Sequence, residues 1–115
     1  MDKIKLSIPS NPKYLSSLRL TASSLANTLE MDLDKMEDIK VLVSELYTYL
    51  LPSYDEVKVV FEVDKDKLNI VFDDIEAFNK LNTSDLDFEL KKQILLALSD
   101  DLKIEKNSIT IVVNK

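Results

Sequence analysis

Residues 41 to 52 read VLVSELYTYLLP, and Glu45 is the one acidic side chain among them. A carboxylate held among aliphatic and aromatic neighbours and shielded from water takes up a proton more readily, as a general base must. On an ordinary amphipathic helix the same residue is a solvated charge, and the residues alone leave both readings open. Asp73 and Asp74 close the run LNIVF, where a strand-end carboxylate can meet a metal ion or a base edge, or simply favour a turn. Asp100 and Asp101 follow a helical stretch, with no third acid at a spacing that makes a metal cluster. Arg19 lies among Ser16, Ser17, Ser23 and Ser24. An arginine there is a surface charge or an interface fork for carboxylates, and the serines suit close helix packing better than nucleophilic attack.

What the chain lacks narrows the chemistry further. It has no histidine and no cysteine, which removes imidazole bases, thiol nucleophiles, disulfides and nearly all zinc sites. It also has no glycine, where average usage of about 7% would give roughly eight. A glycine-rich loop cradles phosphate because only glycine lets the backbone approach the anion closely, so no such loop exists here. A formal charge of -6 argues against nucleic acid or an anionic membrane and for a basic or mixed protein partner. The N-terminus MDKIKLSIPS has no apolar leader core and no stretch nears a membrane span, so a cytoplasmic protein is expected.

The elements that must position these residues follow from hydrophobic period. At 115 residues and 45% hydrophobic content, one domain with one core is expected over 1–115. Ile4, Leu6 and Ile8 alternate as a half-buried strand that ends at Pro9. Asn11 and Pro12 open a helix carrying Leu15, Leu18, Ala22, Leu25 and Leu29 on one face. Asp32 and Asp34 are alternative caps for a second helix with Met36, Ile39, Val43, Leu46 and Leu50 in register, which ends before Pro52. EVKVVFEV and LNIVFD read as a hairpin whose glycine-free DKDK turn must rely on Asp64 or Asp66 in an unusual conformation. Residues 74–85 show no sustained period. A third helix over Asp87 to Ser99 and two closing strands complete the order β-α-α-β-β-α-β-β. That order predicts an α+β two-layer sandwich: a mixed, mostly antiparallel sheet covered on one face by about three helices.

PKYLSSLRLTASSLA and DLDKMEDIKVLVSELYTYL resemble the front half of the anti-sigma-factor serine kinases, small bacterial members of the GHKL (Bergerat-fold) ATPases. Asp38, Ile39, Lys40, Val43, Ser44 and Glu45 match a family helix reading roughly D-I-K-x-x-V-S-E-x-x-x-N. LNIVFD is similar to the strand that ends in the family's nucleotide-binding aspartate, and ILLALSDDLKI with NSITIVV is similar to its closing helix and strands. The resemblance implies a histidine-kinase-like ATPase fold with a shortened lid, Glu45 as base in ATP-dependent phosphoryl transfer, dimers, and a sigma-factor surface that includes Arg19, with Ser16 and Ser23 beside it. Departures remove parts of the nucleotide site. Tyr49 stands where the family's Mg²⁺-holding asparagine falls, and Asp74 best matches the adenine-binding aspartate. The glycine that follows in D-x-G is Glu76, and the later G-x-G appears as Glu89, Leu90 and Lys91. Acids beside a triphosphate repel it by about 1 kcal/mol per close pair in water, which Lys91 or Lys92 offsets only in part. The expectation is therefore a non-catalytic regulator that binds a sigma factor or its antagonist, as a homodimer or with a paralogue, with ATP and Mg²⁺ lost and Tyr49 partly filling the pocket. The alternative is a serine kinase with an atypical site that keeps Glu45 as base.

Overall fold

The computed structural model describes residues 1–75 and 86–115. Its first strand, β1 (Asp2–Pro9), alternates as expected, with Ile8 buried and Ile4 and Leu6 packed at the edge of the core. Pro9 ends it. Asn11 then accepts from the Lys13 N–H at 3.0 Å and caps a short 3-10 turn, Pro12–Tyr14, which leads into α1 (Leu15–Thr28). Leu18, Ala22 and Ala26 are the fully buried side chains of α1.

The link from α1 to α2 (Leu33–Leu50) is built without glycine. Glu30 takes the left-handed conformation, φ 58°, and its N–H reaches Asn27 O at 3.0 Å while the Met31 N–H reaches Ala26 O at 3.2 Å. Those two bonds close the helix C-terminus as a Schellman motif, with buried Met31 as its apolar seal. Asp32, rather than Asp34, caps α2 by accepting from the Lys35 N–H at 2.8 Å. α2 packs on α1 along one flank and on the third helix along the other. Its buried arc, Ile39, Leu42, Val43, Leu46, Tyr47 and Leu50, is accordingly wider than a single apolar stripe.

After a 3-10 turn, Leu51–Ser53, the chain enters β2 (Glu56–Val63) and β3 (Lys67–Asp73). Their turn needs no left-handed residue, contrary to the expectation placed on Asp64 and Asp66. It closes through Asp64 N–H to Lys67 O at 3.0 Å, and the Asp64 carboxylate accepts from the Lys65 N–H at 2.8 Å. The aperiodic segment falls almost wholly on residues 76–85, outside the described residues. α3 (Leu86–Leu98), β4 (Asp101–Ile104) and β5 (Ile109–Asn114) complete the chain.

The sheet has the order β1-β2-β3-β5-β4, and every pair is antiparallel rather than mixed. α3 carries the chain from β3 to a strand running the same way. β5 inserts between the two, antiparallel to both, so no parallel pair forms. Alternate residues of the central strands, among them Val59, Phe61, Ile70, Phe72 and Ile111, face the helices and join them in one hydrophobic cluster. The result is the expected two-layer α+β sandwich, in which α2 lies between its neighbours and carries Glu45.

Candidate functional site

Glu45 and Tyr49 stand one turn apart on α2, at the flank that meets α3. The Glu45 carboxylate receives the Lys91 ammonium from α3 at 2.5 Å, and the two side chains are 28% and 21% exposed. The Tyr49 ring packs on Phe88 of α3, with centroids 5.5 Å apart and planes tilted by 45°. Phe88 is buried and Tyr49 is half-buried against the core. Glu45 is thus neither a free surface charge nor an open carboxylate, but one half of a partly buried ion pair. Ser44, its neighbour in the matched segment, donates its hydroxyl to Lys40 O at 2.6 Å within the helix. That bond keeps the oxygen on its own backbone.

Asp74 is directed elsewhere. It adopts φ 55°, which aspartate tolerates better than most residues, and it is joined to Lys58 at 2.9 Å. Lys58 alternates with buried Val57 and Val59, so it stands on the sheet face that carries no helices. The pair raises the Lys58 ammonium above its ordinary 10.5, through the Asp74 hydrogen bond first and then the Asp74 charge, with smaller help from Glu56 and Asp73 and a small opposing effect of burial. The structure therefore brings Glu45 and Tyr49 together and sends the Asp74 carboxylate to the far face of the sheet. Glu76 lies outside the described residues.

A magnesium nucleotide needs oxygen donors for the metal and backbone amides for the phosphates. Tyr49 offers a phenol in place of an amide carbonyl, Glu45 is already neutralised by Lys91, and Asp74 is engaged by Lys58. Among the described residues no group of three or more acids is placed to hold a metal ion. Among the described residues this donor set does not fit the cofactor.

On the opposite flank of α2, Ser16, Arg19 and Ser23 fall on one face of α1, above Lys40. Ser16 and Arg19 are exposed. Ser23 is half-buried and donates to Leu20 O at 3.2 Å. Arg19 has no ion-pair partner among the described residues, whereas Lys40 is paired with Glu37 at 3.0 Å. Leu20 and Leu33, 66% and 75% exposed, line the groove between the two helices together with Met36. These leucines are not among the candidate site residues read from the sequence. Their signal is positional, because each lies off the buried stripe of its own helix. Among the described residues no helix is long and apolar enough to cross a membrane.

No family model matches the chain. The chain is similar to serine-protein kinase RsbW of Bacillus velezensis, 30% identical over an alignment spanning all of this chain and 86% of that protein. It is similar to RsbW of Bacillus subtilis at 34% identity, over 82% of this chain and 58% of the relative. RsbW of Bacillus cereus strain Q1 is 25% identical over 99% of this chain and 84% of its own length. Similarity over nearly the full length, together with the S-E segment on the central helix, makes this chain a member of the RsbW family of serine-protein kinases, the anti-sigma-factor serine kinases.

Proposed function

We propose that this member is a non-catalytic anti-sigma-factor-like regulator of the cytoplasm. It holds a protein partner, a sigma factor or the antagonist of one, on the α1–α2 surface around Arg19, Ser16 and Ser23. It works as a homodimer or with a paralogue, and neither binds ATP and Mg²⁺ nor transfers a phosphoryl group. The observation that carries this reading is the Glu45–Lys91 pair beside the Tyr49–Phe88 contact. Phosphoryl transfer rests on positioning and electrostatic stabilisation of nucleotide and metal, so a base already neutralised, next to a phenol where the metal donor belongs, supplies neither. The missing glycines support the same conclusion for the phosphate cradle.

The test is calorimetry with magnesium ATP. No binding heat is expected up to millimolar nucleotide, and metal-dependent binding in the micromolar range would overturn the reading. A second reading is supported by the relatives, which are serine-protein kinases: an atypical kinase using Glu45 as base. Transfer of labelled phosphate to an antagonist protein, lost in Glu45→Ala, would establish that alternative.

A further inference from the structure

α3 is held to the rest of the molecule by few buried side chains. Phe88 and Leu95 are its buried residues, against six for α2, while Leu86, Leu90 and Leu96 are 73%, 59% and 48% exposed. An isolated helix of this length is marginal in water and depends on tertiary contacts to persist. Two of those contacts have a particular arrangement. Glu45 and Tyr49 are four residues apart on α2, and their partners Lys91 and Phe88 are three residues apart on α3 in the reverse order. These spacings put each pair of residues on one helix face, so the two contacts form successive rungs between antiparallel helices.

We propose that these two rungs are a clasp that fastens the first half of α3 to α2, an internal contact standing where the family's base and metal donor lie. Lys91 supplies the positive charge that Glu45 faces, and Tyr49 on Phe88 supplies the apolar closure beside it. The inference rests on the reading of this site as free of nucleotide. It goes further by assigning Glu45 and Lys91 a present role as positioning residues for α3. Losing either charge leaves the other partly buried and unpaired, which loosens the helix more than losing both together does.

Hydrogen–deuterium exchange on the full chain tests the clasp. Glu45→Gln and Lys91→Met keep side-chain size and remove one charge each. Each is expected to speed exchange of the α3 amides by about threefold to tenfold while the β2 and β3 amides keep their protection. The charge-swapped double variant Glu45→Lys with Lys91→Glu is expected to return α3 to within about twofold of the parent, since the pair is re-formed with its signs exchanged. Unchanged α3 exchange in both single variants overturns the proposal, as does a double variant that exchanges as fast as the singles. A rise that extends to the sheet in a single variant marks general destabilisation, and the swap then decides, because only a true pair is rescued. Magnesium ATP added to the parent protein separates the two ideas: slower α3 exchange would sink the nucleotide-free reading, while the variants would still decide the clasp.

Discussion

At the scale of single residues, two tyrosines and two ion pairs divide the work. Tyr47 is fully buried, and its hydroxyl donates to Pro9 O at 2.7 Å and accepts from the Asn11 N–H at 3.3 Å. It ties the central helix to the turn between β1 and α1. Tyr47→Phe keeps the ring and removes the hydroxyl's bonds, while the Asn11 N–H keeps its own bond to Pro9 O at 2.9 Å, so a loss of about 1 kcal/mol is expected in urea unfolding. No effect would mean that water replaces the hydroxyl. Lys58 permits a test by titration. Its folded value lies above the ordinary 10.5, so whatever the Asp74 contact adds to stability is fully present below that pH and is lost as pH rises through the higher folded value. In Asp74→Asn the Lys58 amine, followed by NMR, should titrate closer to 10.5, and an unmoved titration would refute the pairing. Little of this was legible in sequence. At helical spacing Glu45 lies off the stripe of Met36, Ile39, Val43, Leu46 and Leu50 and Tyr49 at its border, but the partners of Glu45 and Tyr47 lie 46 and 36 to 38 residues away along the chain. No local spacing encodes such contacts.

At the scale of elements, the order of strands and helices and most of the buried positions were readable, because each element buries one face and repeats at its own period. What period cannot give is pairing. The sheet, expected to be mixed and mostly antiparallel, is antiparallel throughout, because β5 inserts between β3 and β4. The turns were also hard to place without glycine. Strain was expected at Asp64 or Asp66 but lies at Glu30 and Asp74, because a helix C-terminus closed by a Schellman motif requires a left-handed residue and this hairpin turn does not. Glu30 is exposed, and its carboxylate lies 3.9 Å from the Lys115 ammonium. Glu30→Gly removes the Cβ from a conformation that costs a non-glycine residue about 1–2 kcal/mol, and part of that gain is returned as unfolded-state entropy. A net stabilisation of about 0.5–1 kcal/mol is expected, measured by chemical denaturation. Destabilisation would mean that the Glu30 side chain matters more than its backbone.

For the whole molecule, α2 is the shared wall of two surfaces. One flank carries the Arg19 groove with α1, and the other carries the clasp with α3. A chain of net charge -6 whose Arg19, beside exposed Leu20, has no ion-pair partner among the described residues presents a local cationic spot in an acidic field. Such a spot pairs locally with a carboxylate of a mixed-charge partner and fixes its register more than it adds affinity. Arg19 makes no ion pair among the described residues, so Arg19→Glu should leave the thermal midpoint unchanged within about 2 °C, as expected of an exposed substitution. On the proposed function, capture of a sigma factor by the same variant falls at least tenfold, because an arginine proposed to pair with a partner carboxylate becomes a repulsive charge. Lys91→Met should do the reverse, loosening α3 while retaining capture. The two substitutions share no partner and should be additive in both readouts. Coupling between them, seen as a double variant that loses more capture than Arg19→Glu alone, would show that α2 transmits the state of one flank to the other and that the clasp bears on partner binding.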